Sequence, residues 1–344
     1  MKVYTFNAPD DSRVEILSSL RPANKDRIFN KFIREASYTE VDSIQNCHLA
    51  IYPHKVFHPE TLEFDRGVFD AAIAAERYQK PIIIDATSDS DTFLDIPTAH
   101  ILRYGLYKSQ KKAFETECPF WSNYRTKNGL NFLKIDSTKG KKPAVGFCGT
   151  TSSAGKLSNL VKFSIPTSLA QSALCKGKIT RHIDIRVKEG ISLKLREKAI
   201  ALLAGDLRLD TYFDITNQYK TYYCQDKQNR LLLEKLFIEN TSKCDYVLCI
   251  RGTGNYSGRL YMALSAGRIP VVLDTDVVIP YEERLHIVKI PIHSLHKISD
   301  IILEHFENVT DTELKHMKLQ NREIYNQLLA PEKFLKHFVS NIVD

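Results

Sequence analysis

Short apolar runs alternate with longer stretches whose apolar residues recur at helical spacing. KVYTF (2–6), HLAIY (48–52), PIIIDAT (81–87) and AHILRY (99–104) predict strands, and the near-continuous apolar ones match strands buried on both faces. Between them NKDRIFNKFIREA (24–36) and FDAAIAAERYQ (69–79) predict amphipathic helices. Residues 109–142 are polar, aromatic and irregular. The alternation then resumes with a strand at AVGFCG (144–149), leading through TTSSAGK into a helix, followed by helices over 191–205 and 229–243. Further strands are expected at 245–250, 269–274 and 286–290, and helices at 259–267, 296–306 and 311–330, with a short last helix after Pro331. Such alternation predicts an α/β fold of two Rossmann-like domains, over 1–140 and 141–330, each built on a parallel sheet. The ligand crevice belongs between them, at the carboxyl ends of the strands.

The stretch CDYVLCIRGTGNYSGRLYMALSAGRIPVVLDTD (244–276) is one strand–loop–helix–strand unit whose loop carries three glycines and is bracketed by Arg251 and Arg259. In such a unit the end of the strand and the start of the helix face one crevice, where free amides and the helix dipole favour an anion. Gly252 and Gly258 let a phosphate approach the backbone. Ser257 can cap the helix or donate to an oxygen, and the two guanidiniums add bidentate donors. Loop chemistry alone equally allows a plain turn with two solvated arginines.

Composition narrows the classes. With 344 residues, 43% hydrophobic and 26% charged, the chain has an ordinary globular makeup. Its start reads as a strand rather than a leader, and no apolar run reaches membrane-span length, so a cytoplasmic protein is expected. Seven scattered cysteines without a CxxC pair argue for reduced thiols over a disulfide framework or zinc site. A net charge of +7 suits an anionic ligand or peripheral contact with an anionic membrane surface, and no nucleic-acid module is visible.

The segment 244–281 resembles the donor-binding region of exostosin-like glycosyltransferases, family 47. It does so through Cys249, Arg251-Gly252, Ser257, Arg259, the GRIPV run at 267–271, Asp274 and Pro280-Tyr281. ILRYGLYKSQKKAFETECPFW (101–121) and AVGFCGT (144–150) are weaker landmarks of the same kind. The resemblance implies a GT-B fold with a C-terminal helix (331–344) crossing back onto the N-terminal domain. It also implies an inverting transfer from a nucleotide-diphosphate sugar, with a UDP-sugar favoured, to a glycan or glycolipid acceptor. The arginines would neutralise the leaving diphosphate. Met262 stands where the family commonly has a Glu placed to contact the ribose, which leaves donor choice and activity open.

An inverting transfer needs a base for the acceptor hydroxyl. Asp85 and Asp89, which lie with Asp91 in IIIDATSDSD (82–91), and His54, which lies with His58 and Glu60 in IYPHKVFHPE (51–60), are the candidates. Each is equally readable as a turn former or a solvated charge. Gly149 and Thr150 are candidates for amides near the phosphates, and Asp274 and Met262 for the donor's edge. Trp121, with Phe120, and Tyr124 could stack on an acceptor sugar, although a lone Trp more often packs a core. Asp274-Thr275-Asp276 tempts a metal reading, but arginine compensation favours a metal-independent site with no cofactor. A fucosyltransferase-like enzyme using a guanosine donor, or an inactive sugar or nucleotide binder, are the alternatives.

Overall fold

The structure, a computed structural model, describes residues 1–6, 39–52, 56–57, 64–121, 129–153, 155–175, 177–180, 182–217 and 227–343. The helix expected at 24–36, and the site candidates His54 and Tyr124, lie outside the described residues.

The first sheet comprises β1 (Lys2–Thr5), β2 (Thr39–Glu40), β3 (Leu49–Tyr52), β4 (Ile82–Asp85), β5 (His100–Arg103) and β6 (Glu115–Glu117), in the order β2-β1-β3-β4-β5-β6. Helix α1 (Gly67–Arg77) joins β3 to β4. The second sheet comprises β7 (Ala144–Gly149), β8 (Asp210–Ile215), β9 (Tyr246–Cys249), β10 (Ile269–Asp274) and β11 (Val288–Pro291), in the order β11-β10-β9-β7-β8. All strand pairings in both sheets are parallel. β3, β4 and β9 are buried at every position, as their uninterrupted apolar runs require. Around the second sheet lie α2 (Lys156–Ser164), α3 (Thr167–Leu174), α4 (Ile185–Ala204), α5 (Lys227–Ser242), α6 (Gly258–Ser265), α7 (Ile298–Glu307) and α8 (Asp311–Ile324). Thr310 caps α8 in a reciprocal capping box with Glu313.

A wide turn at Tyr325–Leu329 ends α8, and α9 (Pro331–Val343) then returns to the first sheet. Phe334 and Leu335 of α9 are buried with Val3, Leu49, Ile83 and Leu102. The expected crossing of the last helix is therefore present. Trp121 serves it: the indole is 1% exposed, donates to the Leu329 carbonyl at 2.7 Å and packs edge-on against Phe334. A ring enclosed in this way cannot stack on an acceptor sugar, which corrects that expectation.

Candidate functional site

In the second sheet the chain moves from β7 outward to β8, then returns to the other side of β7 to form β9. The carboxyl ends of β7 and β9 thus flank the point where the winding reverses, the place where open α/β sheets bind ligands. Gly149 and Thr150 end β7 there, and the glycine loop and α6 follow β9.

Arg259, in the first turn of α6, lies across the end of β7. Its Nε donates to the Cys148 carbonyl at 2.8 Å, and its guanidinium sits 4.4 Å from the centroid of the Phe147 ring. Gly149 makes this possible: with φ at +156°, a Cβ there would fall 1.7 Å from Arg259 Nη2. Ser257 is the N-cap residue of α6, yet its hydroxyl makes no capping bond and is buried without a partner among the described residues. Of the two roles open to Ser257, capping is therefore not the one it plays here. The neighbouring Cys148 thiol is pushed up to about 12 by burial, with Arg259 opposing, so it is no nucleophile.

Arg251 behaves differently from the expectation. It is 4% exposed and turned into its own loop, donating to the Thr253 carbonyl and to Asn255 Oδ1, both at 2.9 Å, and to the Tyr107 hydroxyl at 3.3 Å. Its donors organise the loop and the domain junction instead of pointing at a diphosphate. The Gly252 amide is likewise taken, by the Tyr256 carbonyl at 3.2 Å. Gly258 opens α6 beside Ser257.

A third arginine, Arg196 on α4, belongs to the site without standing in any of its motifs. Buried to 4% exposure, it donates to the Thr150 carbonyl at 2.7 Å and to the Ile250 and Arg251 carbonyls at 3.3 and 2.8 Å, so it fastens the ends of β7 and β9 together. Burial, then the nearby Arg259, pushes it down to about 9, still charged at neutral pH. Thr150 itself bonds through its hydroxyl to Asn217 Oδ1 at 3.0 Å and the Ser152 carbonyl at 2.9 Å.

Met262 is 7% exposed and packs with Leu130, Cys148, Phe237 and Ala266. It is a core residue, not an edge of the donor site. Asp274 pairs with Lys289 at 3.3 Å and accepts from the Asp276 amide, while Asp276 accepts from Ser109 across the domain junction. Among the described residues no three His, Cys, Asp or Glu side chains gather as metal ligands.

The first domain faces this crevice with the loop after β4. Asp85 is buried and its Oδ1 accepts from the Thr87 amide at 2.9 Å and from the Thr87 hydroxyl, the bonds of a local turn. Asp89 is exposed at the mouth and accepts from the Tyr256 hydroxyl at 2.8 Å. The protein crowded around Asp89 acts to raise its pKa, with the Tyr256 bond opposing. Its open surface carries more weight, because water at the mouth blunts desolvation. Asp91 holds Lys188 Nζ through both oxygens, at 2.6 and 2.7 Å, and accepts from the Tyr107 hydroxyl at 3.0 Å. A continuous polar chain, Lys188–Asp91–Tyr107–Arg251–Asn255, thus runs from one domain to the other and back.

The loop bearing Tyr107 is seated closely. Gly105 has φ at +69°, and a Cβ on it would meet the Asn255 backbone nitrogen at 2.8 Å. The Val278 amide donates to the Leu106 carbonyl, and the Lys108 amide to that of Asp276. Below the loop, the buried Glu117 carboxylate accepts from the Gly105 and Leu106 amides at 2.9 and 2.7 Å. Burial outweighs these bonds and pushes Glu117 from 4.5 up to about 8. Its stabilising contribution is therefore full below pH 4.5 and is lost as the pH climbs through about 8. Denaturation midpoints of Glu117→Gln should accordingly fall less steeply than wild type between about pH 5 and 8. Parallel pH profiles would show Glu117 ionised in the fold throughout.

No family model matches the chain, and no curated protein matches it by sequence. Among solved structures it is similar to the spinosyn rhamnosyltransferase SpnG, at 11% identity and a TM-score of 0.38, over 94% of this chain and 77% of that one. It is also similar to Anabaena HepE in complex with UDP and glucose, at 10% identity and a TM-score of 0.35, over 99% of both chains. A third is sucrose-phosphate synthase from Thermosynechococcus elongatus, at 10% identity and a TM-score of 0.36, over 99% and 98%. The likeness is one of general arrangement, and the fold rests on the sheets described above: an α/β chain of two parallel-sheet domains.

Proposed function

We propose that the chain transfers a sugar from a nucleotide-diphosphate donor held at the ends of β7 and β9. The observation that carries this reading is Arg259, laid over Gly149 near the start of α6, where the Ser257 hydroxyl has no partner among the described residues. That is a cation, a buried hydroxyl and helix amides at one switch point. The exostosin-like run over 244–281 supports an inverting reaction with a UDP-sugar and a glycan or glycolipid acceptor. In that reaction a base takes the acceptor hydroxyl's proton and the acceptor oxygen bonds to the anomeric carbon. The carbon–oxygen bond to the diphosphate breaks, and the departing charge falls on Arg259. Asp89 is the favoured base, because the residue is exposed and bonded to Tyr256 by one oxygen, whereas Asp85 is buried in a local turn. Met262, enclosed in the core, offers the ribose no counterpart to the family's Glu, which favours binding without turnover as the second reading.

Donor hydrolysis across UDP-, GDP- and CMP-sugars, with and without EDTA, tests this. The expected outcome is turnover with a UDP-sugar that persists in EDTA. Turnover lost in EDTA and restored by Mn²⁺ would return Asp274 and Asp276 to the active site. Binding of nucleoside diphosphates with no turnover on any donor would establish the binder.

A further inference from the structure

Three consecutive residues of the glycine loop reach out of their own domain and rest on the other. A Cβ on Gly254 would fall 2.9 Å from Asp89 Oδ1, in the loop after β4. Asn255 lies against Gly105, just beyond β5, where a Cβ would meet its backbone nitrogen at 2.8 Å. Tyr256 lays its ring against Tyr104 and Phe120, at centroid distances of 5.0 and 5.2 Å, and packs there on the core of the first domain. An ordinary turn between a strand and a helix needs none of these contacts. The tyrosine is held from both ends: the Gly252 amide donates to its carbonyl at 3.2 Å, and the two first-domain rings fix its side chain. Its hydroxyl then donates to Asp89 Oδ1 at 2.8 Å.

We infer that Tyr256 is a positioning residue, which reaches from the donor domain to hold the Asp89 carboxylate as the base, so that the base is set only while the two domains meet as they do here. This role rests on the transfer reaction proposed above, with Asp89 taking the acceptor's proton; the tyrosine keeps its own. Tyr256 engages one oxygen of the carboxylate, and an acceptor hydroxyl needs only the other. A carboxylate on an exposed loop turns freely unless something fixes it, and a misplaced base forfeits much of its effect. The groups around Asp89 give the sign of a pH test. Burial raises its pKa and Glu189 of α4 adds to that, while the Tyr256 hydroxyl, the Gly254 amide and Arg251 lower it. On its own loop, Asp85 is tied to Thr87 and Asp91 to Lys188. Removing the Tyr256 hydroxyl alone therefore raises the pKa of Asp89, and activity that needs its carboxylate must set in at a higher pH.

The test follows, against pH, hydrolysis of the nucleotide sugar that wild type turns over, with water as the acceptor. Asp89→Asn should lower kcat by about two to four orders of magnitude, the range of a general base. Tyr256→Phe keeps the ring and should lower kcat by about tenfold to a hundredfold, with the acid limb of the profile moved to higher pH. Its nucleoside-diphosphate affinity should equal that of wild type, which also shows the fold intact. Gly254→Ala keeps the phenol but crowds it, since the added Cβ would meet Tyr256 Cε1 at 2.6 Å, and should lower kcat in the same way. Wild-type kcat and an unmoved acid limb in Tyr256→Phe, with Asp89→Asn inactive, would overturn the inference and leave the transfer reaction standing. Wild-type turnover by Asp89→Asn would remove the base, and the role of Tyr256 with it. No turnover of any donor by wild type would overturn both the reaction and the inference.

Discussion

Arg259→Ala is expected to lower turnover by about one to three orders of magnitude, on the scale of removing one donor from an oxyanion site. The leaving diphosphate gains charge as the sugar departs, and Arg259 is the guanidinium that the fold leaves partly open at the switch point. Arg251 and Arg196 are each only 4% exposed. Arg259→Lys should rescue only in part, since an ammonium cannot lie flat on Phe147 and fork toward an anion together. Gly149→Ala gives an independent check. A methyl group there occupies the place of Arg259 Nη2, so the guanidinium must leave the end of β7 although its charge is kept. Nucleoside-diphosphate affinity at matched salt should fall in both variants; the unfolding midpoint should stay close to wild type in Arg259→Ala and drop in Gly149→Ala, because alanine adopts the φ of +156° only under strain. If Gly149→Ala binds as tightly as wild type while Arg259→Ala does not, the charge acts at a distance and the close approach is incidental. Equal affinity and turnover in all three would remove the phosphate site from RGTGNYSGR.

Much of this site is legible in the sequence because its signals are local. Glycines beside a strand end, a serine before a helix and an arginine in its first turn place Arg259 and Ser257 without tertiary information. The inward turn of Arg251 is only partly local: Thr253 and Asn255 belong to its own loop, but its third partner, Tyr107, lies 144 residues away in the other domain. Residue type puts Trp121 at the site and the family resemblance puts Met262 there, whereas packing partners distant in sequence enclose both. Lys188 and Arg196 do leave a trace: they share the buried stripe of α4 with Ser192, Ala199 and Leu203, where a cation needs a partner. The fold follows the same division. Runs such as IIID and YVLC disclose themselves, whereas β6 reads ETE and is held by its carboxylates, Glu115 against Arg103 and Glu117 on two amides. β8 lies at a sheet edge with a mixed burial pattern, so its sequence DTYFDI lacks the clean alternation of a half-buried strand.

Lys188→Met should destabilise the fold far more than Arg259→Ala. Lys188 is 3% exposed at its side chain and Asp91 15% exposed, and the two meet across the domain junction. Removing one member of a buried pair leaves a charge without its counter-ion, at about 3–5 kcal/mol where burial is complete. Asp91 keeps some water and the Tyr107 hydroxyl, so about 2–4 kcal/mol is expected from chemical denaturation. The double change Asp91→Leu/Lys188→Met removes both charges and should cost clearly less than the sum of the single changes. Stability alone would not distinguish a junction latch from an ordinary buried pair; the radius of gyration does. With Lys188 gone, Asp91 no longer fixes Tyr107, Tyr107 no longer steadies Arg251, and the loop carrying Ser257 loses its tie to the first domain. Small-angle scattering should therefore show an expanded chain in Lys188→Met and in the double variant, with nucleoside diphosphate restoring compactness only partly. Wild-type dimensions in both variants would mean that the seating of Gly105 on Asn255 and the strap from Leu106 to Ser109 close the domains unaided.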